Sequence, residues 1–370
     1  MKLLHIVGAR PNFMKLAPVF HAGRNREGVD QVVIHTGQHY DPTMSGRFFE
    51  ELGLPEPDRN LGVGSGTHAE QTARIMLGFE PVLLGQEPDW VVVYGDVNST
   101  VACALVASKC RVRVAHVEAG LRSRDRTMPE EINRLLTDQL ADLLLTPSRD
   151  ADQNLLREGI APDRIVFVGN VMVDTLLRLR ATARGLDMRG KLGLASQDYA
   201  FVTLHRPANV DDAERLAGLL KGLEAIAQST PVVFAIHPRT RDRIATFGLG
   251  ELAPSVRLLD PLGYLETVSL VEQARVVITD SGGLQEETTV LGVDCLTLRP
   301  NTERPVTISE GTNRLVAPEQ GALENAVKTV LRKDRTGPAV SPAPEYWDGH
   351  AGERIVDALQ AALPSVGSAR

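Results

Sequence analysis

Short runs of apolar, β-branched residues recur along the chain, separated by longer stretches in which apolar residues return every third or fourth position. KLLHIVG, QVVIHTG, DWVVVYGD, VRVAHVEA, DLLLTPS and IVFVGN read as strands in the first half. YAFVTLHR, PVVFAIHP, VRLLD, ARVVITDSGG and DCLTLR do so in the second. Their apolarity is continuous rather than alternating, the pattern of strands covered on both faces by flanking helices in a parallel sheet. Between them helical spacing dominates: Ile132, Leu135, Leu136, Gln139, Leu140 and Leu143 run down one face of a predicted helix. Alternating strand and helix predicts an α/β fold of the doubly wound type.

The strands are too many for one comfortable sheet and fall into two sets, which predicts two Rossmann-like domains. A polar, basic stretch lies between GNVMVDTLL and DYAFVTLHR, so residues 1–172 are expected to form the first domain and residues 173–347 the second. After the Pro-rich segment TGPAVSPAPEYWDG comes a last helical pattern, ERIVDALQAAL, and residues 348–370 are expected to pack back on the first domain. Nearly every strand ends in polar or glycine-rich sequence: GARPN, HTGQHYD, GDVNST, HVEAG, LHRPAN, HPRT, TDSGG and LRPNTERP. In open α/β sheets the carboxyl ends of the strands face the ligand crevice. Two sheets with those edges opposed predict domains facing across a cleft, a favoured place for a small molecule.

Composition narrows the function. A chain of 370 residues is long enough for two cores. A net charge of −7 argues against nucleic acid as a partner, which needs a basic surface. Cys103, Cys110 and Cys295 are scattered in apolar contexts and read as buried thiols of a reducing compartment. There is no H-x-x-x-H and no cysteine pair, so no metal site is expected. The N-terminal apolar run is too short for a signal peptide and nothing approaches a membrane span, so a cytoplasmic protein without a membrane partner is expected.

The strand ends carry the candidate chemistry. In TDSGGLQEETTVLG, Gly282 and Gly283 let the backbone approach an anion at a helix N-terminus, and Glu287 can bind a ribose diol. Ser281 can equally be an ordinary helix cap there. The spacing is not G-x-G-x-x-G, so NAD is not indicated. In GARPNFMKLAPV, Arg10 and Lys15 flank a turn and can clamp a diphosphate, or simply be solvated. Asp96 of GDVNST can act as a base or cap a helix, whereas Glu118 of HVEAG has no evident capping geometry. Thr127 and Glu130 match a capping box, which gives Glu130 a structural alternative, and Glu131 and Arg134 can merely decorate the helix. His205 and Arg206 end one strand of the second half, His237 and Arg239 another, and Glu303 and Arg304 follow a third.

Taken in order, GARPNFMKLAP, HTGQHYD, GSGTHAEQTARIM, GDVNST, HVEAGLRS, MPEEINR, LHRPAN, TDSGGLQEE and NTERP closely resemble the non-hydrolysing UDP-N-acetylglucosamine 2-epimerases over almost the whole chain. The resemblance implies a glycosyltransferase-B-like pair of domains, usually a homodimer, that interconverts UDP-GlcNAc and UDP-ManNAc without a redox cofactor or metal. It implies that Arg10, His205, Ser281, Gly283, Glu287 and Arg304 hold UDP, and that Lys15, Asp96, Glu118, Glu130 and His205 surround the reacting sugar. A second UDP-GlcNAc activates some relatives, and Gln38, Gln71, Arg74, Arg206 and His237 match positions associated with that neighbouring site. Thr267 stands where some relatives place an aromatic residue, and Tyr264 is the nearest aromatic in sequence.

The chemistry so implied is an elimination. The C2 proton is not next to a carbonyl, so UDP leaves C1 while a base removes H2, giving 2-acetamidoglucal. UDP then re-adds, with a proton delivered to the other face of C2. A modified UDP-sugar (diacetamido or uronic), a hydrolysing epimerase and a UDP-sugar glycosyltransferase remain alternatives, as does a non-enzymatic UDP-sugar-binding regulator.

Overall fold

Every apolar run named above forms a strand in the computed structural model, which describes residues 1–38, 49–195, 197–332 and 343–363. Two further strands, β3 (Arg59–Asn60) and β13 (Asn313–Leu315), were invisible to the pattern because they are too short and polar to show a period. The chain divides into a first unit, Met1–Thr175 with the segment from Glu345, and a second, Leu176–Pro344.

The first unit is built on a sheet of order β3-β2-β1-β4-β5-β6-β7 with all neighbours parallel. β1 (Lys2–Val7) lies at its centre between β2 (Asp30–His35) and β4 (Trp90–Tyr94), with Ile6 opposite both Ile34 and Val93. β5 (Arg113–Val117), β6 (Leu143–Thr146) and β7 (Ile165–Phe167) continue from β4. Helices α1 (Arg10–Arg24), α2 (His68–Gln86), α3 (Asn98–Lys109), α4 (Pro129–Leu140) and α5 (Arg149–Arg157) connect strands. Leu4, Ile6, Val91, Val93, Val114 and Leu144 share one core with Ile75, Phe79 and Leu83 of α2 and with Ala104 and Ala107 of α3. Each large apolar side chain so buried contributes roughly 1.5–3 kcal/mol.

α4 is turned the opposite way from the face its pattern suggests. Its polar residues Glu131, Asn133, Arg134, Thr137 and Asp138 are buried, while Leu136 is 51% exposed and Ile132, Leu135 and Leu140 are half-buried. Leu143 is not on the helix at all but opens β6. The polar face is drawn inward by ionic partners on the β5 strand and the loop after it, described below.

A helix from the far end of the chain completes this unit. α6 (Val171–Gly185) begins after β7, and the last helix, α13 (Ala351–Ala361), packs along α1. The Asp174 carboxylate caps α13 from outside it, accepting the N–H groups of Ala351 at 3.2 Å and Gly352 at 2.8 Å. Burial pushes the Asp174 carboxyl up to about 6, against the pull of those two donors. Ahead of α13, Tyr346 stacks on Phe167 with centroids 4.9 Å apart, and the guanidiniums of Arg149 and Arg354 cover the outer faces of the two rings.

The second unit repeats the plan with order β10-β9-β8-β11-β12-β13. β8 (Ala200–Thr203) is flanked by β9 (Val232–Ala235) and β11 (Val276–Thr279), with β12 (Asp294–Thr297) beyond β11 and β10 (Arg257–Leu259) beyond β9. A one-turn helix, α7 (Pro207–Val210), follows β8 and leads into α8 (Ala213–Ala227), with α9 (Pro238–Thr246) after β9. One face of the sheet buries Leu216, Leu219 and Leu223 of α8 and Leu323 and Val327 of α12 (Gln320–Leu331). The other buries Phe201, Val277 and Cys295 against Leu270 and Val271 of α10 (Tyr264–Val271). Both units are therefore doubly wound Rossmann-like α/β folds with parallel sheets. Among the described residues no helix is long and apolar enough to cross a membrane, and Cys103, Cys110 and Cys295 are free.

Gly169 supplies a test of how the chain's end is held. It sits at φ 88°, and a Cβ there would come within 2.1 Å of the Tyr346 carbonyl oxygen. Gly169→Ala is expected to lower stability by about 2 kcal/mol or more, from the left-handed backbone and the overlap together. Urea melts check this; an unchanged midpoint would show that the Tyr346 segment is not held at this point.

Candidate active site

In each unit the strand order reverses beside the central strand, between β1 and β4 in the first and between β8 and β11 in the second. The loops leaving those two carboxyl ends part to opposite sides and leave a crevice. In the first unit Asn12 ties the two ends together. Its Oδ1 accepts the N–H groups of Gly8 and Ala9 at 3.1 and 3.0 Å, and its Nδ2 donates to the Tyr94 carbonyl at 2.8 Å. Gly8 has no room for a side chain, since a Cβ would meet Ser99 Oγ at 2.1 Å and Thr36 Oγ1 at 2.6 Å. This close approach sets the start of α1, where Arg10 is exposed and Lys15 is buried.

Lys15 forms an ion pair with Glu118, and both side chains are nearly inaccessible. Glu118 follows β5 with φ 71°, a left-handed conformation that few non-glycine residues adopt without a surrounding structure that imposes it. Gly95 lies against this pair, and a Cβ there would meet Lys15 Nζ at 2.5 Å. The Gly95 carbonyl accepts from His116 Nε2 at 2.7 Å, while His116 Nδ1 meets Asp138 of α4 at 2.6 Å. Asp138 also accepts from the Gly120 N–H and pairs with Arg122, which is held in turn by Glu158. Burial works against its ionisation, yet His116 and Arg122 hold the Asp138 carboxyl below the ordinary aspartate range.

Asp96 and Glu130 line one cavity of about 330 Å³ together with Gln38, Ser65, Gly66, His68, Gln71, Val97, Asn98, Pro129 and Asn133. Asp96 is ion-paired to Arg134, whose other nitrogens reach Glu131. Glu131 also takes the Ser123 N–H, the Ser123 hydroxyl and the Arg124 N–H at 2.9–3.0 Å. Glu131 and Arg134 are thus the buried framework of the loop, not helix decoration. The expected capping box of Thr127 and Glu130 does not form. Met128 is the N-cap, and Thr127 instead turns both its N–H and its hydroxyl to Asp125. Glu130 is thereby released from the structural task its sequence spacing suggested. The box that does form is Thr67 with Glu70 at the start of α2.

Gln38 and Gln71 adjoin each other within this cavity. Gln71 donates to the Gln38 carbonyl at 3.2 Å, and the Gln38 side chain accepts from the N–H and hydroxyl of Ser99. Arg74 is not among the lining residues; its guanidinium donates to the carbonyls of Val63, Ser65 and Glu70. The loop part of HTGQHYD beyond Gln38 lies outside the described residues.

In the second unit the crevice ends carry His205 after β8 and Asp280, Ser281, Gly282 and Gly283 after β11, where α11 (Gly282–Leu291) begins. Ser281 is the N-cap by position, but its side chain makes no capping bond. Arg304 lies against this helix start, because a Cβ on Gly282 would meet Arg304 Nη1 at 2.6 Å. Two carboxylates hold Arg304: Glu286 at 2.7 Å and Glu303 at 2.5 Å. Glu287 is buried beside the Tyr264 hydroxyl, and burial, with Glu286 nearby, pushes its carboxyl up to about 8. His237 stands 5.6 Å from His205, ring to ring, and Arg206 opens the turn of α7. Burial, then the neighbouring His205, lowers the His237 pKa. Arg239 is taken by Asp211. Asp280 is signalled in the sequence only as an acid directly after a strand and before Ser-Gly-Gly.

Two Rossmann-like units, a helix-start turn of the phosphate-binding kind in one and a carboxylate-lined cavity in the other, define a protein class suited to nucleotide-linked ligands. A family model described as UDP-N-acetylglucosamine 2-epimerase matches residues 21–360. A UDP-N-acetylglucosamine 2-epimerase of Methanocaldococcus jannaschii is 46% identical over 367 residues, covering 97% of this chain and 99% of that protein. A UDP-2,3-diacetamido-2,3-dideoxy-D-glucuronate 2-epimerase of Pseudomonas aeruginosa is 42% identical, with 97% and 99% covered. The crystal structure of the Methanocaldococcus jannaschii UDP-GlcNAc 2-epimerase in complex with UDP-GlcNAc and UDP superposes with a TM-score of 0.88 at 45% identity, covering 98% of this chain and 100% of that one. The chain belongs to the UDP-N-acetylglucosamine 2-epimerase family.

The raised Glu287 pKa has a measurable consequence. The folded protein keeps this proton up to a pH of about 8, whereas an unfolded glutamate loses it near the ordinary value. Between those values the folded state binds more protons, so this group's contribution to stability falls as pH rises, by up to about 1.4 kcal/mol per pH unit. Glu287→Gln, which stays neutral, is expected to gain in melting temperature relative to the parent as pH is raised from mildly acidic to mildly alkaline. A constant difference across that range would contradict the assignment.

Proposed function

We propose that this chain is an isomerase that inverts C2 of a UDP-N-acetylhexosamine, interconverting UDP-GlcNAc and UDP-ManNAc. The observation that carries the reading is the grouping of Asp96 and Glu130 around one cavity, with Glu118 fixed against Lys15 at the neighbouring strand end. A carboxylate removes H2 as the C1–O bond to UDP breaks, leaving a C1=C2 double bond and free UDP. A second group returns a proton to the opposite face of C2 while a UDP oxygen rebonds C1. Acids and bases so placed each contribute roughly 10²–10⁴-fold. Arg10, Ser281, Gly282, Gly283, Glu287, Arg304 and His205 are assigned to the nucleotide, and Lys15, Asp96, Glu118, Glu130 and His205 to the sugar. The elimination moves a proton and a leaving group but no net electrons, so it calls for no redox cofactor.

Gln38 and Gln71 share the cavity of Asp96 and Glu130, which supports a second sugar nucleotide acting beside the first; the three backbone bonds of Arg74 do not support a part for its guanidinium. We assign the chain to the cytoplasm, in keeping with a nucleotide-sugar substrate and free thiols.

A homodimer is part of the reading. Leu77 and Leu84 on α2 are 75% and 61% exposed, and Leu136 on α4 also faces outward, while α3 packs against both helices. Exposed leucines on two helices that flank a third suit a self-complementary contact. The double substitution Leu77→Glu, Leu136→Glu is expected to convert a dimer to a monomer in sedimentation equilibrium; a monomeric parent, or a variant that keeps its mass, overturns this part.

Incubation with UDP-GlcNAc in deuterated water tests the reaction itself. UDP-ManNAc should appear with deuterium at C2, and Glu118→Gln should retain UDP binding while losing exchange by about 10²-fold or more. Unlabelled, unchanged sugar with the parent enzyme, or stoichiometric free UDP and ManNAc, would refute epimerisation; exchange retained in Glu118→Gln would remove Glu118 from the proton-transferring set.

A further inference from the structure

We propose that Asp280 is a positioning residue for His205: its carboxylate holds Nδ1 protonated and turned inward, so that Nε2 is the nitrogen offered to ligand. The inference rests on the reading above that His205 faces the nucleotide sugar, and it names a residue through which that histidine acts.

Asp280 is the first residue beyond β11, fully buried, and sits at the reversal of strand order beside the end of β8. Its Oδ2 accepts the Arg206 N–H at 2.9 Å, the His205 N–H at 3.1 Å and Asn209 Nδ2 at 3.0 Å. Asn209 also donates to the Leu298 carbonyl at 2.9 Å, which links the same web to the end of β12. Oδ1 lies 3.0 Å from His205 Nδ1 and also accepts the His205 N–H at 3.1 Å. Burial opposes ionisation of Asp280, but the His205 ring, the Arg206 N–H and the Asn209 amide outweigh it and hold the carboxyl below its ordinary range. An ionised carboxylate only accepts hydrogen bonds. The ring nitrogen facing it must therefore carry hydrogen, which fixes the tautomer as well as the ring plane.

The remaining surroundings do not compete for that role. His237 lies 5.6 Å away ring to ring, and its own Nδ1 accepts the Arg239 N–H at 3.2 Å. The Arg239 guanidinium is bound to Asp211. The His205 side chain keeps 37% of its surface open, enough for a ligand atom to reach the ring. The backbone bonds of Asp280 would hold the turn with any well-placed acceptor. The contact to Nδ1 is the one that a purely structural role leaves unexplained.

Long-range proton–nitrogen correlation spectra of the full chain, with its histidines labelled with nitrogen-15, read the tautomer directly at mildly alkaline pH. The His205 signal is assigned by its loss in His205→Gln. The expected pattern is Nδ1 protonated and Nε2 bare; Nε2 protonated and Nδ1 bare would overturn the proposal. In Asp280→Asn the pattern should change to the other tautomer or to an average. The same variant should lose roughly 10- to 100-fold in kcat for UDP-GlcNAc epimerisation while KM moves much less. An unchanged tautomer and kcat in a folded Asp280→Asn protein would also overturn it. Should that variant fail to fold, the parent spectrum still decides. Because the spectrum needs no substrate, it judges the Asp280–His205 contact even if the epimerase reading fails, and an active enzyme with Nε2 protonated rejects the contact alone.

Discussion

A parallel sheet whose strand order reverses beside its central strand cannot close over the carboxyl ends of the two strands at the reversal. The loops depart to opposite faces, and the backbone groups left between them need partners other than each other. In both units one short polar side chain bridges this gap. Asn12 grips the N–H groups after β1 and reaches the carbonyl at the end of β4. Asp280, after β11, grips the N–H groups after β8. The difference in kind is instructive. Asn12 both donates and accepts, as a joint between a carbonyl and two N–H groups requires. Asp280 only accepts, and every partner it has is a donor.

The first unit surrounds its joint with charge. Glu118 is held beside Lys15, while His116, two residues earlier on β5, takes hold of both the Gly95 carbonyl and Asp138. Arg122 and Arg134 then close separate circuits with Asp138 and Glu158, and with Asp96 and Glu131. Buried ions are expensive to desolvate, and such pairs are weak evidence for stability. What they supply here is placement: the loop from Ala119 to Met128 has little regular structure of its own, yet Ser123, Arg124 and Asp125 are fixed through Glu131 and one another. The inverted orientation of α4 follows. Its polar side is inward because that is where Asp96, His116 and Arg122 offer it ionic partners.

This explains which parts of the molecule could be read from sequence. Strands buried on both faces announce themselves, and the turns that follow them carry glycine and short polar residues for stereochemical reasons, so the crevice residues were legible in kind and place. The direction of α4 was not. Periodicity shows that a helix has two unlike sides but not which side meets the core, and the usual assumption fails where the core offers ions. Nor could spacing distinguish Thr67–Glu70, which caps a helix, from Thr127–Glu130, which does not. In the second case Asp125 takes the threonine first. Glu131, Arg134 and Asp280 were hidden because their partners lie on other strands, and β3 and β13 because two or three residues carry no period.

The second unit places several acids near a turn that suits an anion, an arrangement that looks self-defeating until their protonation and pairing are followed. Arg304 takes both Glu286 and Glu303, and Arg299 also reaches Glu303. That leaves Glu287, which is buried, lies near Glu286 and keeps its proton to about pH 8. At neutral pH, then, each of these acids is either paired with an arginine or uncharged. The helix-start N–H groups of α11 can attract a phosphate without opposition from these three glutamates, while the ionised carboxylate just before the turn, Asp280, is taken up by donors that follow β8. A neutral carboxyl can also donate a hydrogen bond as well as accept one, which a carboxylate cannot, and a diol needs both. Gly282 is the residue that permits this arrangement, because any side chain there would occupy the space Arg304 needs to sit against the start of α11.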